Sequence, residues 1–198
     1  MAQLMLLGET NHRIFAGAFK AMRKFLTFML VALTLAAPLA LGQDLQGQAL
    51  VHEGLVTAPA DQVWSALTTR SGQGSWMVAH SEIDLRVGGL MRTHYDPKGE
   101  IGDDQTIENR ILSFDPGRML SIQVSKAPVG FAFSDVIKAM WTVIYLIPEA
   151  GSQTRVRIVG LGFGDEPDSQ KMRQYFDRGN AYTLRKLQER FAAPEPLR

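Results

Sequence analysis

The sequence contains no cysteine, and this absence excludes several kinds of site at once. Without a thiol the chain forms no disulfide bond, binds no metal through thiolates, uses no cysteine nucleophile and carries no lipoprotein anchor. Histidine is nearly as scarce, since only His52, His80 and His94 follow residue 42. None of the three is spaced with other ligand types in a way that would form a metal site, so we predict none.

Strong charge of either sign is also lacking. The formal net charge is +1, but residues 1–42 carry four basic residues and one acidic residue, which leaves 17 basic and 19 acidic residues in 43–198. A nearly balanced surface has no electrostatic footprint for nucleic acid or anionic lipid, so we expect no nucleic-acid partner. The length suits one domain with a substantial core.

The longest uncharged stretch lies near the amino terminus. Residues 25–41 follow Arg23 and Lys24 and lead into the small residues Ala40 and Gly42. A short basic region, an apolar core and a small-x-small pattern are typical of a secretory signal peptide. We therefore predict export, with a periplasmic or secreted mature protein.

This interpretation divides the chain into three segments. Residues 22–42 are the predicted signal peptide, cleaved after Gly42, and residues 43–198 are the predicted single domain. Residues 1–21 precede a better start at Met22 and are predicted to be an over-long start. The alternative is an uncleaved anchor, which would be the chain's one contact with a membrane. The uncharged run has 17 residues, below the ~20 that a spanning helix needs, and so favours cleavage.

Short alternating segments separated by turn residues fill the middle of the chain and predict an antiparallel sheet. Gly88 and Gly89 permit a tight hairpin, and residues 115–118 form a strong turn. A run of strands with helices gathered on one side of the sheet is typical of an α+β fold. The predicted helices are 59–68 and 167–191, and the predicted strands are 48–57, 81–86, 90–95, 106–114, 119–125, 140–147 and 154–163.

The helix at 167–191 carries an apolar stripe at three-and-four spacing, which must pack on the sheet. At its midpoint the stripe passes through Gly179 and Asn180. One of these has no side chain and the other carries an amide. We therefore expect either an unusually close approach of the helix backbone to the sheet or a gap in the interface, and function depends on which is present.

A series of short motifs runs through the chain in a fixed order. They are Thr57-Ala58-Pro59, Val63-Trp64-Ser65-Ala66-Leu67-Thr68, Trp76, Asp84-Leu85-Arg86-Val87-Gly88-Gly89, Asp115-Pro116-Gly117-Arg118-Met119-Leu120, Thr154-Arg155-Val156 and Gly162-Phe163. Each motif alone is weak, but their order and spacing resemble the START-like (SRPBCC) superfamily. Within it, the chain is most similar to the branch named after the activator of the heat-shock-protein-ninety ATPase. The resemblance covers residues 48–191.

This resemblance implies a helix-grip fold, in which a curved antiparallel sheet wraps around the long C-terminal helix and leaves a cavity between them. Relatives include lipid and hormone carriers, polyketide cyclases and the co-chaperone that gave the branch its name. Because the predicted signal peptide places the chain away from ATP-driven chaperones, we expect no chaperone partner. We predict instead an exported domain that binds a small, mostly hydrophobic molecule in the cavity.

The candidate ligand-binding residues come from the long helix, the strands around it and an apolar connection. The connection, residues 126–138, is too apolar for a solvated loop, so we expect it to cap the cavity as a lid or to dock on the sheet edge. The candidate polar contacts are Asn180, His94 and Tyr182; the candidate walls are Trp76, Met91, Trp141, Phe163, Phe176 and Leu184; and Phe131 and Phe133 belong to the connection.

A further set of large side chains alternates along one predicted strand. Trp141, Val143, Tyr145 and Ile147 share one face of that strand if it is regular. We expect this face either to complete the core or to line the pocket.

Two other functions are compatible with the sequence. A cyclase- or isomerase-like enzyme would need a titratable residue deep in the same cavity, for which His80, His94 and Tyr95 are the candidates. An interaction module would use residues 126–138 to grip a protein and would expose a large apolar patch. We nominate no catalytic residue, because no triad can be recognised. We nominate no cofactor, because the third glycine position of a dinucleotide-binding loop that starts at Gly160 is occupied by Asp165.

Overall fold

Seven antiparallel strands form one sheet in the computed structural model, which describes residues 49–192. The predictions for residues 1–21 and 22–42 lie outside the described part. Neighbouring strands in the sheet follow the order β1-β7-β6-β5-β4-β3-β2, so the first strand pairs with the last. The strands are β1 Leu50–Val56, β2 His80–Ile83, β3 Leu90–His94, β4 Ile107–Asp115, β5 Met119–Lys126, β6 Trp141–Glu149 and β7 Gln153–Leu161.

Tight turns set the hairpin register, and glycine occupies the positions that need a left-handed backbone. Gly88 has φ +79° between β2 and β3, Gly117 has φ +74° between β4 and β5, and Gly151 has φ +74° between β6 and β7. Side chains other than glycine rarely adopt such angles. The predicted turns are therefore present, and β2 ends three residues earlier than the predicted strand did.

Two short helices follow β1. Helix α1 spans Ala60–Thr68 behind Pro59, and α2 spans Arg70–Gly74, where the Thr69 side chain accepts a hydrogen bond from the Gly72 N–H. The buried face of α1 packs against side chains of β1, β6 and β7 in one hydrophobic cluster.

The long helix α3 spans Pro167–Phe191, the bounds predicted from its pattern, and packs against β1 and β7. Proline in the first helical turn removes a donor that would have had no partner there. The helix is anchored at both ends. Leu184 and Leu187 join α1 in one buried cluster, while Met172 packs with Leu50 and Phe163 in another.

On the β1 side the helix lies very close to the sheet. A Cβ on Gly54 would be 2.8 Å from Gln188 Nε2 and 3.2 Å from Leu184 Cδ2, so the absence of a side chain permits this approach. The predicted α+β helix-grip fold, with a curved antiparallel sheet wrapped around a long C-terminal helix, is confirmed. No helix within residues 49–192 has the length and apolar character needed to cross a membrane.

The expectation for β6 is wrong in one respect. Tyr145 and Ile147 are each 42% exposed on the outer face of the sheet. The inward-facing residues are the alternate ones, with Leu146 in the core and Ile144 packed against it. Both faces of β6 carry apolar residues, so alternation alone did not reveal which face is buried.

Candidate ligand-binding cavity

A cavity of two adjoining chambers lies between the middle of α3 and strands β3 to β7. The chambers have volumes of about 320 Å³ and about 200 Å³. The larger is within the size range of small-molecule sites, roughly 300–1,000 Å³. Ten residues border both chambers and join them into one space: Gln73, Met77, Met91, Tyr95, Asn109, Ile122, Val124, Phe176, Asn180 and Thr183.

Strand alternation places the sheet side of the lining. Met91 and Thr93 point inward from β3, and Tyr95 continues the same face one step beyond the strand. Met91 pairs with Asn109 on β4, so these two side chains lie next to each other on the inner face. From β5, Val124 completes the wall.

The helix side of the lining is built at three-and-four spacing from Phe176, Gly179, Asn180 and Thr183. A Cβ added to Gly179 would meet no atom within 4 Å. The backbone therefore does not press on the sheet at this point. Of the two arrangements expected for the break in the apolar stripe, the gap is the one that is present.

Asn180 is the buried polar residue on the helix side of this gap. Its side chain is 9% exposed, and its Nδ2 is buried with no hydrogen-bond partner in the protein. An amide donor left unsatisfied in a protein interior costs about 1–3 kcal/mol. Few native side chains are placed in this way, and those that are call for an explanation such as an unseen ligand or water.

Gln73 shows the opposite situation. Its Nε2 donates to the Leu67 carbonyl at 2.9 Å, and its Oε1 accepts from the Ser81 hydroxyl at 2.7 Å. Gln73 is 2% exposed, so both ends of its amide are committed to holding α2 against β2. Of these two buried amides, Asn180 is the one that has a buried donor without a partner in the protein.

The rim of the cavity is marked by tyrosines. Tyr95 is 58% exposed and Tyr175 is 48% exposed, although both contribute to the lining. Desolvation by the surrounding protein, with smaller contributions from Tyr175 and Tyr182, raises the pKa of Tyr95. The Tyr95 hydroxyl is therefore protonated at neutral pH and available as a hydrogen-bond donor and acceptor.

The connection between β5 and β6 covers one side of the cavity. Phe131 lines the larger chamber. Its ring packs edge-on against Phe133 and Tyr175, with centroids 5.6 Å apart in both pairs. The connection thus packs on α3 and contributes a wall, which is closer to the expected lid than to docking on a sheet edge.

The eleven predicted ligand-binding residues divide into two groups by position. Those that border the cavity are Asn180, Met91, Trp141, Phe176 and Phe131. The other six lie elsewhere: Tyr182, Trp76, Phe163, Leu184, Phe133 and His94. Ligand binding by the first group stays a prediction.

Four of the six residues outside the cavity are used in packing. Phe163 and Leu184 are 2% and 7% exposed within the two clusters that anchor α3. The Trp76 ring packs on the α1 cluster and its Nε1 donates to the Ala66 carbonyl at 3.1 Å. The Phe133 ring packs edge-on against the Phe131 ring. By contrast, Tyr182 is 54% exposed, with the Arg185 guanidinium 5.3 Å above its ring.

His94 lies on the opposite side of the sheet from the cavity, so its predicted role as a polar contact is wrong in geometry. It is 2% exposed because the loop after β3 covers it. Its Nδ1 accepts a hydrogen bond from the Asp96 N–H at 3.1 Å, and its Nε2 lies 3.0 Å from Asp103 Oδ2. His80 is its cross-strand partner and shares that face.

Asp103 holds this covering loop in place. Desolvation opposes ionisation of its carboxyl, yet the backbone N–H groups of Gln105 and Glu100 donate to it. Together with the nearby His94 and the Thr106 hydroxyl, these donors lower the pKa of the Asp103 carboxyl. Within residues 49–192, no cluster of three potential metal ligands is present here or elsewhere.

Sequence reasoning missed several lining residues, and a simple signal could have found them. Met91 and His94 are three residues apart on one strand, so they cannot share a face. Starting from Met91, a step of two would have selected Thr93 and Tyr95. The same step from the buried Ile111 would have selected Asn109.

Comparison with known proteins gives the family. The family model described as Activator of Hsp90 ATPase homolog 1-like protein matches residues 57–192. A solved protein of Mesorhizobium loti is 20% identical, with TM-score 0.57 over 72% of this chain and 96% of that chain. The Aha1 dimer of Colwellia psychrerythraea is 15% identical, with TM-score 0.57 over 72% and 95%. CalU16 from Micromonospora echinospora is 21% identical, with TM-score 0.52 over 74% and 77%.

At these identities the structural likeness supports the fold alone. No curated protein matches the chain. The family match covers more than half of the sequence and includes α1, all the strands from β2 to β7 and α3. The chain therefore belongs to the Activator of Hsp90 ATPase homolog 1-like family, within the START-like superfamily.

Proposed function

We propose that this domain binds a small, mostly apolar molecule in the cavity between α3 and the sheet. The observation that carries the proposal is the gap beside Gly179 and Asn180, where a Cβ on Gly179 would meet no atom within 4 Å and the lining encloses a space of about 320 Å³. A protein core that served packing alone would be filled at this point, because voids of this size forfeit dispersion contacts.

Binding fits the lining better than catalysis does. Of the titratable side chains His80, His94 and Tyr95, the two histidines lie on the outer face, and Tyr95 has a raised pKa. A protonated tyrosine is a poor general base near neutral pH. Phe131 and Phe133 pack against Tyr175, so they do not form the free apolar surface that an interaction module would need.

A neutral fluorophore provides the direct test. N-phenyl-1-naphthylamine fluoresces in apolar surroundings, and we expect saturable enhancement with the ligand-free protein. Gly179→Leu places a side chain in the larger chamber and should abolish the enhancement. Gly74→Leu is the matched control, because Gly74 also has open space around its Cβ but lies outside the cavity. Equal binding by all three proteins would refute the proposed site.

We also propose that the ligand is met outside the cytoplasm, on the strength of the predicted signal peptide at 22–42. Mass determination of the protein recovered from the export compartment should give an amino terminus at residue 43. Native mass spectrometry of the same material should show a bound molecule that organic extraction releases. An intact amino terminus in the cytoplasmic fraction would contradict export and would leave the cavity assignment unaffected.

A further inference from the structure

The lid of the larger chamber, residues 126–138, is attached to the rest of the protein at few points. From residues 127–136, two hydrogen bonds reach described residues beyond the β5–β6 connection, and both involve Val129. The Val129 N–H donates to the Asp104 carbonyl at 2.8 Å, and the Val129 carbonyl accepts from Gln105 Nε2 at 3.5 Å. The other backbone hydrogen bonds of this stretch lie within the connection. Apart from the packing of its aromatic rings, the lid is therefore held at one point.

Lys126, the first residue of the lid, adds a third attachment at the same place. Its Nζ donates to the Asp103 carbonyl at 3.0 Å. All three hydrogen bonds thus join the lid to residues 103–105, which belong to the β3–β4 loop, residues 95–106. The position of the lid over the chamber depends on where this loop is held.

The Asp103 carboxylate and the His94 ring hold the β3–β4 loop on the sheet. Oδ1 of Asp103 accepts from the Gln105 N–H at 2.8 Å, and Oδ2 accepts from the Glu100 N–H at 3.2 Å. Oδ2 also lies 3.0 Å from His94 Nε2, off the line of an ideal hydrogen bond but close enough for electrostatic attraction. A Cβ on Gly99 would overlap the His94 ring, so the loop backbone rests directly on the imidazole. Because His94 is a buried residue of β3, these contacts fix the loop to the sheet.

We propose that His94 and Asp103 are positioning residues for the lid, which they keep closed over the larger chamber by holding the β3–β4 loop in place. Phe131 is the lid side chain that moves when the chamber opens, since it borders the chamber and packs on Tyr175. This inference rests on the proposed function and adds control of ligand entry and exit to it. Neither positioning residue touches the bound molecule, because neither borders the cavity.

A looser β3–β4 loop should change the rates of binding more than the affinity. Releasing the loop raises the open fraction of the lid by the same factor in the free and the bound protein, and it leaves the lining unchanged. Association and dissociation should therefore both become faster, with nearly the same dissociation constant. Stopped-flow fluorescence with N-phenyl-1-naphthylamine measures both rate constants.

Two variants loosen the attachment in different ways. Asp103→Ala removes the carboxylate that organises the loop, and Lys126→Met removes one donor from the lid without touching the loop. We expect each to raise both rate constants roughly two- to tenfold, the factor that one net hydrogen bond supplies. The dissociation constant should stay within about twofold of the wild type. Asp115→Ala is the matched control, because Asp115 is an exposed turn aspartate far along the chain from the lid, and its rates should equal those of the wild type.

A second control separates positioning from general loss of stability. Leu187→Ala weakens the cluster that α3 shares with α1 and lies outside the cavity, so it should lower stability and leave both rate constants unchanged. Amide hydrogen exchange of the ligand-free protein reports on the lid without any ligand. Exchange at the Val129 N–H should become faster in Asp103→Ala and in Lys126→Met, and should be unaltered in Asp115→Ala.

The outcomes distinguish the inference from the function on which it rests. Unchanged rate constants and unchanged Val129 exchange in Asp103→Ala and Lys126→Met would overturn the inference and leave the binding function standing. A weaker affinity with an unaltered association rate would also overturn it, since the residues would then act on the lining rather than on the lid. If the wild type binds no fluorophore, the binding function fails, while the exchange measurement still tests the attachment of the lid.

Discussion

Replacement of Asn180 by leucine should stabilise the ligand-free protein. The substitution keeps the approximate volume of the side chain and removes a buried donor that has no partner in the protein. The cost of leaving such a donor unsatisfied is about 1–3 kcal/mol, and most of it should be recovered. Leucine is also the better helix former, which adds up to about 0.5 kcal/mol at this interior position of α3.

One term opposes this gain. Leucine at 180 would face the gap beside Gly179 on one side, so part of its surface would lack packing partners. The net expectation is an increase of about 1–3 kcal/mol in the free energy of unfolding. At about 2–4 °C per kcal/mol for a domain of this size, the melting temperature should rise by several degrees.

Urea unfolding followed by circular dichroism measures this change, provided that the protein is first stripped of any bound molecule. A molecule bound to the native protein would itself raise the stability of the wild type and hide the effect. The urea midpoint should rise with an unchanged m-value. Gln174→Leu, on the exposed side of the same helix, should stay within about 0.5 kcal/mol of the wild type. A less stable Asn180→Leu protein would refute the assignment of a buried, unsatisfied amide.

Three further predictions concern other parts of the fold. Gly179→Ala should stabilise α3 by up to about 1 kcal/mol, measured by urea unfolding, because its Cβ would enter open space; a loss of stability would mean that the helix contacts the sheet there. Leu187→Ala should cost about 2–5 kcal/mol in the same assay, since Leu187 is 1% exposed in the cluster with α1. The lowered pKa of Asp103 means that its ionised form stabilises the fold above its ordinary value of 3.8 and that this contribution is lost as the pH falls through the lowered pKa. Urea midpoints of wild type and Asp103→Asn should therefore differ most at pH values above 3.8 and converge as the pH falls through the lowered pKa, whereas a constant difference would contradict the assignment.

Local signals in the sequence were sufficient for most of the fold. The bounds of α3 follow from a proline at its start and an apolar stripe that ends at Phe191. The hairpins follow from turn glycines such as Gly88 and Gly117, which require backbone angles that few other residues adopt. These features depend on neighbours in the chain and can be recognised without the tertiary structure.

The cavity was harder to predict because it depends on which strand face meets the helix. Asn180 was identified because an amide in an apolar stripe is unusual. Alternation places His94 and Arg92 on one face of β3 but does not reveal which face is inward, and a covering loop that buries a histidine leaves no mark in the strand itself. Phe163 and Leu184 have the composition of a pocket wall, and only the packing of α3 on β1 showed that they belong to the core.

The two anchoring clusters at the ends of α3 have a consequence for how the binding site can change over evolutionary time. Stability is concentrated near Met172 and Leu187, while the middle of the helix spans the cavity and contributes little packing there. Substitutions of Gly179 by progressively larger residues can therefore reduce the cavity volume in small steps without disturbing either anchor. Selectivity for new molecules can diversify at this position while the scaffold stays the same.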